Sequence, residues 1–108
     1  AMSLTNSEDV KLLTLAKSSL QRNSAAQSAA LRDGTGRTHV GNSITLTSLK
    51  LDALEVALAM AISSGADQIE AAVLVGVRPS ANAVLSVREI SPHALVWFAQ
   101  DDGSITAL

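Results

Sequence analysis

The sequence predicts an α/β fold in which helices cover both faces of one mixed five-stranded sheet, giving three layers. The apolar patterns follow the order α β β α β α β β along the chain. Strands that alternate with helices pair in a single sheet between helical layers. In addition, the turn sequence DGTG at 33–36 joins the first two strands and predicts an antiparallel hairpin within that sheet.

The first helix is predicted over residues 6–22, where apolar side chains recur at helical spacing in the segment DVKLLTLAKSSLQRN. Thr5 precedes this segment, and Glu8 follows three residues later, a spacing typical of a capping box. We therefore expect the Thr5 hydroxyl to accept from a first-turn amide while Glu8 reaches back to the chain before the helix.

The two strands of the hairpin are predicted at 24–32 and 37–42, on either side of the DGTG turn. Both glycines of the turn tolerate the positive φ that tight hairpin turns require. A phosphate-binding glycine loop is excluded, because the glycine spacing differs and no helix follows the turn.

The central helix is predicted between Thr47 and Ser64, where the apolar period becomes helical. Leu51, Leu54 and Leu58 share one face of this helix. Because the segment is apolar on nearly all sides, we expect it to be buried.

Four further elements complete the predicted fold. The apolar run at 69–77 predicts a strand covered on both faces. Ser80 is predicted to cap a third helix over 81–89. Two more strands, at 93–100 and 104–107, are expected to complete the sheet.

The chain has 108 residues, and residues 3–108 are expected to form a single domain after a cloning remnant at Ala1 and Met2. Apolar residues make up 47% of the chain, which fits a well-packed core or a subunit interface. No signal-peptide pattern is present, and the apolar run at 53–62 is too short to cross a bilayer. We therefore expect a soluble, cytoplasmic protein without membrane contact.

Charge and residue content exclude several kinds of site. The 8 basic and 10 acidic residues are scattered and aromatic residues make up only 2% of the chain, so nucleic-acid binding is not expected. Cysteine is absent, which excludes disulfides, thiolate catalysis and cysteine-ligated zinc. The two histidines, His39 and His93, lie far apart in the sequence.

Four segments match one known family in their order and spacing. They are AALRDGTGRTHVGN at 29–42, DALEVALAMAISSGA at 52–66, IEAAVLVG at 69–76 and LSVREISPHALVWFAQDDGSI at 85–105. Through them nearly the whole chain resembles the cytidine deaminase family. The resemblance implies the cytidine deaminase-like three-layer α/β/α fold. It also implies assembly into homodimers or homotetramers that bury the central helices against one another.

Zinc deaminases carry two signatures at helix starts, the first being His or Cys, any residue and Glu, and the second Pro-Cys-x-x-Cys. By the resemblance the first aligns with residues 53–55 and the second with residues 79–83. The three ligand positions then hold Ala53, Ser80 and Ala83, so we expect no zinc and no other cofactor. A serine hydroxyl is a poor zinc ligand, and neither histidine matches a ligand position.

Glu55 occupies the position that the resemblance assigns to the proton shuttle. A second interpretation is also open, because Asp52 and Glu55 share a polar stripe near a helix start and favour the positive end of its dipole. Without zinc, forming hydroxide loses roughly 12 kcal/mol, the difference between water pKa values of about 15.7 and about 7. Glu55 alone contributes only about 10²- to 10⁴-fold as a general base. Ordinary hydrolytic deamination is therefore not expected.

Two asparagines, Asn42 and Asn82, are candidates for ligand binding. Asn42 follows the second strand, where it either reaches a sugar hydroxyl or belongs to a surface turn. A polar, partly open cavity around Glu55, Asn42 and Asn82 would favour the binding of a nucleoside.

Three functions remain open after these observations. The leading hypothesis is a non-catalytic, cytidine deaminase-like subunit that forms homo-oligomers and binds or scaffolds a protein partner. The second is a sensor that binds a nucleoside or nucleotide without turnover. The third is an active cytidine deaminase-type hydrolase with misaligned ligands, which would have to rely on histidine and carboxylate ligands.

Overall fold

The computed structural model describes residues 4–108, so the expectation for Ala1 and Met2 lies outside the described residues. Within that range the helices are α1 (Ser7–Asn23), α2 (Ala53–Ser63) and α3 (Ala81–Ile90). The strands are β1 (Gln27–Asp33), β2 (Thr38–Asn42), β3 (Ile44–Thr45), β4 (Lys50–Leu51), β5 (Ile69–Gly76), β6 (Leu95–Ala99) and β7 (Ile105–Ala107). No helix in this part of the chain combines the length and the apolar character needed to cross a membrane.

Five strands form one mixed sheet in the order β2-β1-β5-β6-β7. Strands β5 and β6 run parallel and are connected by α3, whereas the other neighbours are antiparallel. The β1–β2 hairpin pairs Ala30 with Val40 at its middle. Of the two glycines in its turn, Gly36 takes a positive φ of 89° and Gly34 does not. The predicted mixed five-stranded sheet and its hairpin are confirmed.

Helices cover both faces of the sheet, and each face has its own apolar core. Helices α2 and α3 pack on one face, where the buried side chains include Leu54, Leu74 and Phe98. Helix α1 packs on the other face, where Leu12 and Val73 are buried and Trp97 packs against them. The adjacent Trp97 and Phe98 thus point to opposite faces, as strand geometry requires. The predicted three layers are confirmed.

The first helix begins one residue later than predicted, and its cap is Asn6 rather than Thr5. The Asn6 Oδ1 accepts from the amides of Glu8 at 2.8 Å and Asp9 at 3.3 Å. The Glu8 carboxylate pairs with Lys11 at 3.2 Å instead of reaching back to the chain. The predicted capping box is wrong because asparagine is at least as strong an N-cap as threonine and stands one residue closer to the helix.

The central helix begins at Ala53 rather than at Thr47. The residues before it form β3 and β4, which pair as a two-stranded ribbon outside the main sheet. Leu51 belongs to β4 and not to the helix. The predicted start is wrong because Leu51 fits the helical period, whereas the N-cap residue Asp52 determines where the helix begins.

Several strands are shorter than predicted. Strand β1 begins at Gln27 rather than at residue 24, because Ser24 ends α1 in a left-handed conformation with φ of 50°. Strand β6 begins at Leu95 rather than at residue 93, because the preceding chain turns.

The hairpin turn is organised by Asp33, whose side chain is fully buried. One carboxylate oxygen accepts from the Thr35 amide and hydroxyl, at 2.9 and 2.7 Å, and from the Arg37 amide at 3.1 Å. The other accepts from His39 Nε2 at 3.0 Å. The hydrogen bonds from His39 and Thr35 hold the pKa of Asp33 well below its usual value of 3.8.

We expect the protein to lose stability in acid partly through Asp33. Because folding lowers the pKa of this carboxyl, its contribution to stability is present above about pH 4 and is lost as the pH falls below that value. Asp33→Asn should lower the melting temperature at about pH 7 and flatten its decrease between about pH 5 and about pH 3. Melting curves followed by circular dichroism measure both effects.

The control for this prediction is Asp67→Asn, which alters an exposed carboxyl. It should keep the wild-type pH profile. If Asp33→Asn loses stability in acid as steeply as the wild type, the carboxylate of Asp33 does not have this role.

Candidate functional site

The starts of helices α2 and α3 lie side by side at the end of the sheet where the central strand β5 finishes. The Asp52 Oδ2, at the start of α2, accepts from the amide of Ser80, the N-cap of α3, at 2.6 Å. Strand β2 runs close to the first turns of α2. A Cβ on Gly41 would come within 2.7 Å of the Ala57 amide nitrogen and 2.9 Å of the Ala53 carbonyl oxygen. Glycine at this position therefore permits the close approach of strand and helix.

Gln27 joins the same region from β1. Its side chain is only 3% exposed. The Oε1 accepts from the Ala53 amide at 2.7 Å, and the Nε2 donates to the Val77 carbonyl oxygen at 2.8 Å. Both ends of the side-chain amide are used, so three segments that are distant in sequence are held together. The helix-start cluster, as we call it, comprises Gln27, Asp52, Ala53, Glu55 and Ser80.

Glu55 is half-buried in the first turn of α2. Its Oε1 accepts from the Asp52 amide at 2.9 Å, the contact through which an acidic residue at this position satisfies an unpaired amide at a helix start. The carboxylate therefore has a structural partner. Its role as a proton shuttle stays a prediction.

The three positions that the resemblance aligns with zinc ligands do not provide a donor set for zinc. Ala53 and Ala83 are fully buried in one core, and their side chains have no donor atom. The Ser80 hydroxyl accepts from the Ala83 amide at 3.1 Å as the N-cap of α3. Zinc sites use thiolate, imidazole or carboxylate ligands, with three or more from the protein. Within residues 4–108 no three such side chains come together, so the residues present do not fit zinc.

The two candidate asparagines have different surroundings. Asn42 is half-buried at the end of β2, in a strand rather than in a surface turn, and its Oδ1 accepts from the hydroxyls of Ser19, at 3.1 Å, and Ser28. It thereby links α1, β1 and β2. Asn82 is exposed in the first turn of α3. Neither asparagine lines the cleft next to the helix-start cluster, and neither does Glu55, so the three do not share that cleft.

This cleft has a volume of about 230 Å³. The β3–β4 ribbon forms one side, and the chain that follows β5 forms another. The ribbon cleft, as we call it, is lined by Ala26, Gln27, Ser43, Ile44, Thr45, Lys50, Leu51, Asp52, Val77 and Arg78. The sequence does not predict this cleft, because Lys50 and Leu51 fall within the predicted central helix and not in a strand. The sequence feature that could have indicated this region is Gln27, a large polar residue within the run of small and apolar residues AAQSAAL.

Comparisons with known proteins point to one family. A family model described as cytidine deaminase-like matches residues 5–103. The similar solved structures include a cytidine deaminase from Burkholderia pseudomallei, with a TM-score of 0.80 and 20% identity over 92% of this chain and 90% of that chain. They also include cytidine deaminases from Mycobacterium leprae (TM-score 0.73, 16% identity, 94% of each chain) and Bacillus anthracis (0.75, 14%, 95% of this chain and 83% of that chain). These structural likenesses show the fold alone. None of the curated protein sequences compared with this chain matches it.

Replacing Gln27 tests whether the helix-start cluster holds the fold together. Gln27→Leu should lower the free energy of unfolding by about 1–3 kcal/mol, because the buried Ala53 amide loses its acceptor. Urea denaturation measures the change. Gln21→Leu makes the same substitution at an exposed position on α1 and should stay within about 0.5 kcal/mol of the wild type. A Gln27→Leu protein as stable as this control would contradict the role of Gln27.

Proposed function

The chain belongs to the cytidine deaminase-like family, and from this premise we propose that it is a non-catalytic member that serves as a homo-oligomeric binding or scaffolding subunit. The observation that carries the proposal is the chemistry of the two helix starts. Where the resemblance places three zinc ligands, this chain has Ala53, Ser80 and Ala83. The alanines bring no donor atom, and zinc activation of a water molecule in such sites uses three protein ligands.

The carboxylates near the helix starts already have structural partners. Asp52 accepts from the Ser80 amide at 2.6 Å, and Glu55 accepts from the Asp52 amide at 2.9 Å. Each bond uses one of the two carboxylate oxygens, Oδ2 of Asp52 and Oε1 of Glu55. The bond to the Asp52 amide supports a role for Glu55 in holding the start of α2.

Helix α2 offers an apolar outer surface for the proposed assembly. Met60 and Ile62 are 44% and 43% exposed, and Ala59 is also exposed. The helix carries one charged residue, Glu55 in its first turn. The rest of the helix has no charge that would favour contact with water, which supports burial against a second copy of the chain.

Light scattering at micromolar concentration is expected to give the mass of a dimer or a tetramer. Met60→Glu should shift this mass towards that of the monomer, because an unpaired carboxylate is costly in an interface. Leu15→Glu introduces the same charge at an exposed leucine of α1 and should leave the mass unchanged. A monomeric mass for the wild type would overturn the proposed assembly.

A second function, the binding of a small molecule without turnover, is favoured by the ribbon cleft. The cleft adjoins the helix-start cluster and is lined by both polar and apolar residues, a combination typical of ligand sites. Binding of a small molecule without turnover is consistent with Ala53 and Ala83, because their side chains have no atom that could hold a catalytic zinc ion.

Zinc content and cytidine turnover test the non-catalytic proposal. Protein purified from zinc-supplemented medium is expected to hold far less than one zinc per chain and to form no uridine from cytidine, because the donor set is incomplete. Glu55→Gln should leave both results unchanged. A zinc-containing cytidine deaminase assayed in parallel serves as the positive control. One zinc per chain, or uridine formation that disappears in Glu55→Gln, would favour the active hydrolase instead.

A further inference from the structure

We propose that the outer edge of strand β2 pairs with the same edge of a second copy of the chain, so that two five-stranded sheets join into one. The inference rests on the proposed homo-oligomer and names the surface through which two copies meet. Three features carry it: the hydrogen-bonding pattern of β2, the residues that this strand lacks, and the position of α2 above it.

Strand β2 lies at one end of the sheet, and β1 is its only partner among the described strands. Two hydrogen bonds fix which residues of β2 face β1. The Asp33 amide donates to the Arg37 carbonyl oxygen at 2.9 Å, and the Ser43 amide donates to the Gln27 carbonyl oxygen at 3.0 Å. Because hydrogen-bonded and non-bonded pairs alternate in an antiparallel ladder, every second residue between these two bonds faces β1.

This alternation leaves a row of backbone groups on the outer side of β2. His39 and Gly41 direct their amides and carbonyl oxygens towards β1, whereas Thr38, Val40 and Asn42 direct theirs away from it. Within residues 4–108 no hydrogen bond involves these three outward amides or their carbonyl oxygens. Such a row is a template for the pairing of another strand.

The sequence of β2 lacks the features that keep sheet edges apart in other proteins, namely charged residues, proline and bulges. Residues 38–42 read THVGN, without Asp, Glu, Lys, Arg or Pro, and they pair with β1 in unbroken register. The strand at the other end of the sheet, β7, has only three residues, and a short edge strand is itself protective. The edge at β2 is therefore the one suited to pairing.

A second copy of the chain matches this edge group for group. Antiparallel pairing about a two-fold axis beside Val40 sets Val40 opposite the same residue of the second copy, and Thr38 opposite Asn42. Each outward amide then meets a carbonyl oxygen of the other copy, so three amides from each of two copies give six hydrogen bonds. The row is symmetric about Val40, and a second copy leaves none of its groups unpaired.

The position of helix α2 is compatible with this pairing. The helix packs over both β1 and β2. Paired strands lie about 4.8 Å apart, so a helix centred over β1 and β2 stands about 10 Å from its symmetry mate. Packed helices are separated by about 8–10 Å. Pairing of the two edges therefore brings the two α2 helices into contact without forcing them into each other.

The flank of α2 that faces the outer edge is apolar. A Cβ on Gly41 would lie 3.0 Å from the Val56 Cβ, so Val56 projects on the β2 side of the helix, whereas Leu54 and Leu58 are buried in the core on the other flank. Met60 follows Val56 by four residues on the same face and is 44% exposed. A stable interface buries about 800 Å² per partner, and this flank adds apolar surface to the strand pairing.

Isotope-filtered nuclear magnetic resonance on an equal mixture of labelled and unlabelled protein tests the pairing directly. Because His39 and Gly41 bond to β1, their Hα atoms face the outer edge. A nuclear Overhauser effect is expected between the Hα of His39 in one copy and the Hα of Gly41 in the other. An oligomer in which this signal is absent would overturn the pairing.

A proline in the outward row tests the same pairing by mutation. Val40→Pro removes an outward amide and keeps every hydrogen bond to β1, a position at which edge strands tolerate proline. It is expected to raise the dissociation constant of the assembly by about tenfold or more in analytical ultracentrifugation. Ala107→Pro removes an outward amide from β7, since the bonds flanking it are those of Leu108 and Thr106. This control should leave the dissociation constant unchanged.

Melting curves show whether each variant is folded, because Val40 is half-buried. Thr38→Pro is a second variant, at an exposed residue that begins the strand, where proline is also tolerated. Either variant, when folded, overturns the pairing if it associates as tightly as the wild type. The resonance experiment uses the wild-type chain and decides the question if neither variant folds.

Comparison with Met60→Glu distinguishes this inference from the proposed function. A monomeric wild type would overturn both the homo-oligomer and the edge pairing. An assembly that Met60→Glu dissociates and a folded Val40→Pro leaves intact would preserve the homo-oligomer and overturn the edge pairing alone.

Discussion

The hydrogen bond from the Ser80 amide to the Asp52 carboxylate, at 2.6 Å, places the starts of α2 and α3 side by side. Gln27 reinforces this arrangement from β1 by bonding to both Ala53 and Val77. The Ala53 amide is buried, so loss of its bond would leave an unsatisfied donor in the core. The positions of both helices and of the chain after β5 depend on these contacts, and so does the shape of the ribbon cleft.

The same contacts join the two helix starts at the place where the resemblance puts alanine at two of three zinc-ligand positions. Ala53 and Ala83 are buried and extend the apolar core. Hydrogen bonds within the protein then provide the connection between helix starts that a bound metal can provide in other proteins. Under the proposed function, the residues at the end of the sheet where β5 finishes bind a partner or ligand and do not catalyse a reaction.

Much of the fold could be predicted because its sequence signals are local. An apolar run predicts the buried strand β5, the DGTG turn predicts the hairpin, and the N-cap Ser80 predicts the start of α3. The start of α2 could not be predicted from the sequence, because Leu51 satisfies the helical period. Leu51 is excluded from the helix by its pairing in the β3–β4 ribbon and by the N-cap at Asp52. The helix-start cluster could not be predicted from the sequence either. Gln27 and Ala53 are 26 residues apart, and they meet only because β1 is an inner strand of the sheet and lies beneath α2.

The most direct measurement is amide hydrogen exchange at Ala53 and Ser80, followed by nuclear magnetic resonance with and without one equivalent of zinc. Both amides donate to side chains, those of Gln27 and Asp52. The buried Ala53 amide should exchange slowly in zinc-free protein, and the resonances of both amides should not move when zinc is added. Rapid exchange of both amides without zinc, followed by slowing and resonance shifts when zinc is added, would show that a metal and not these hydrogen bonds joins the two helix starts.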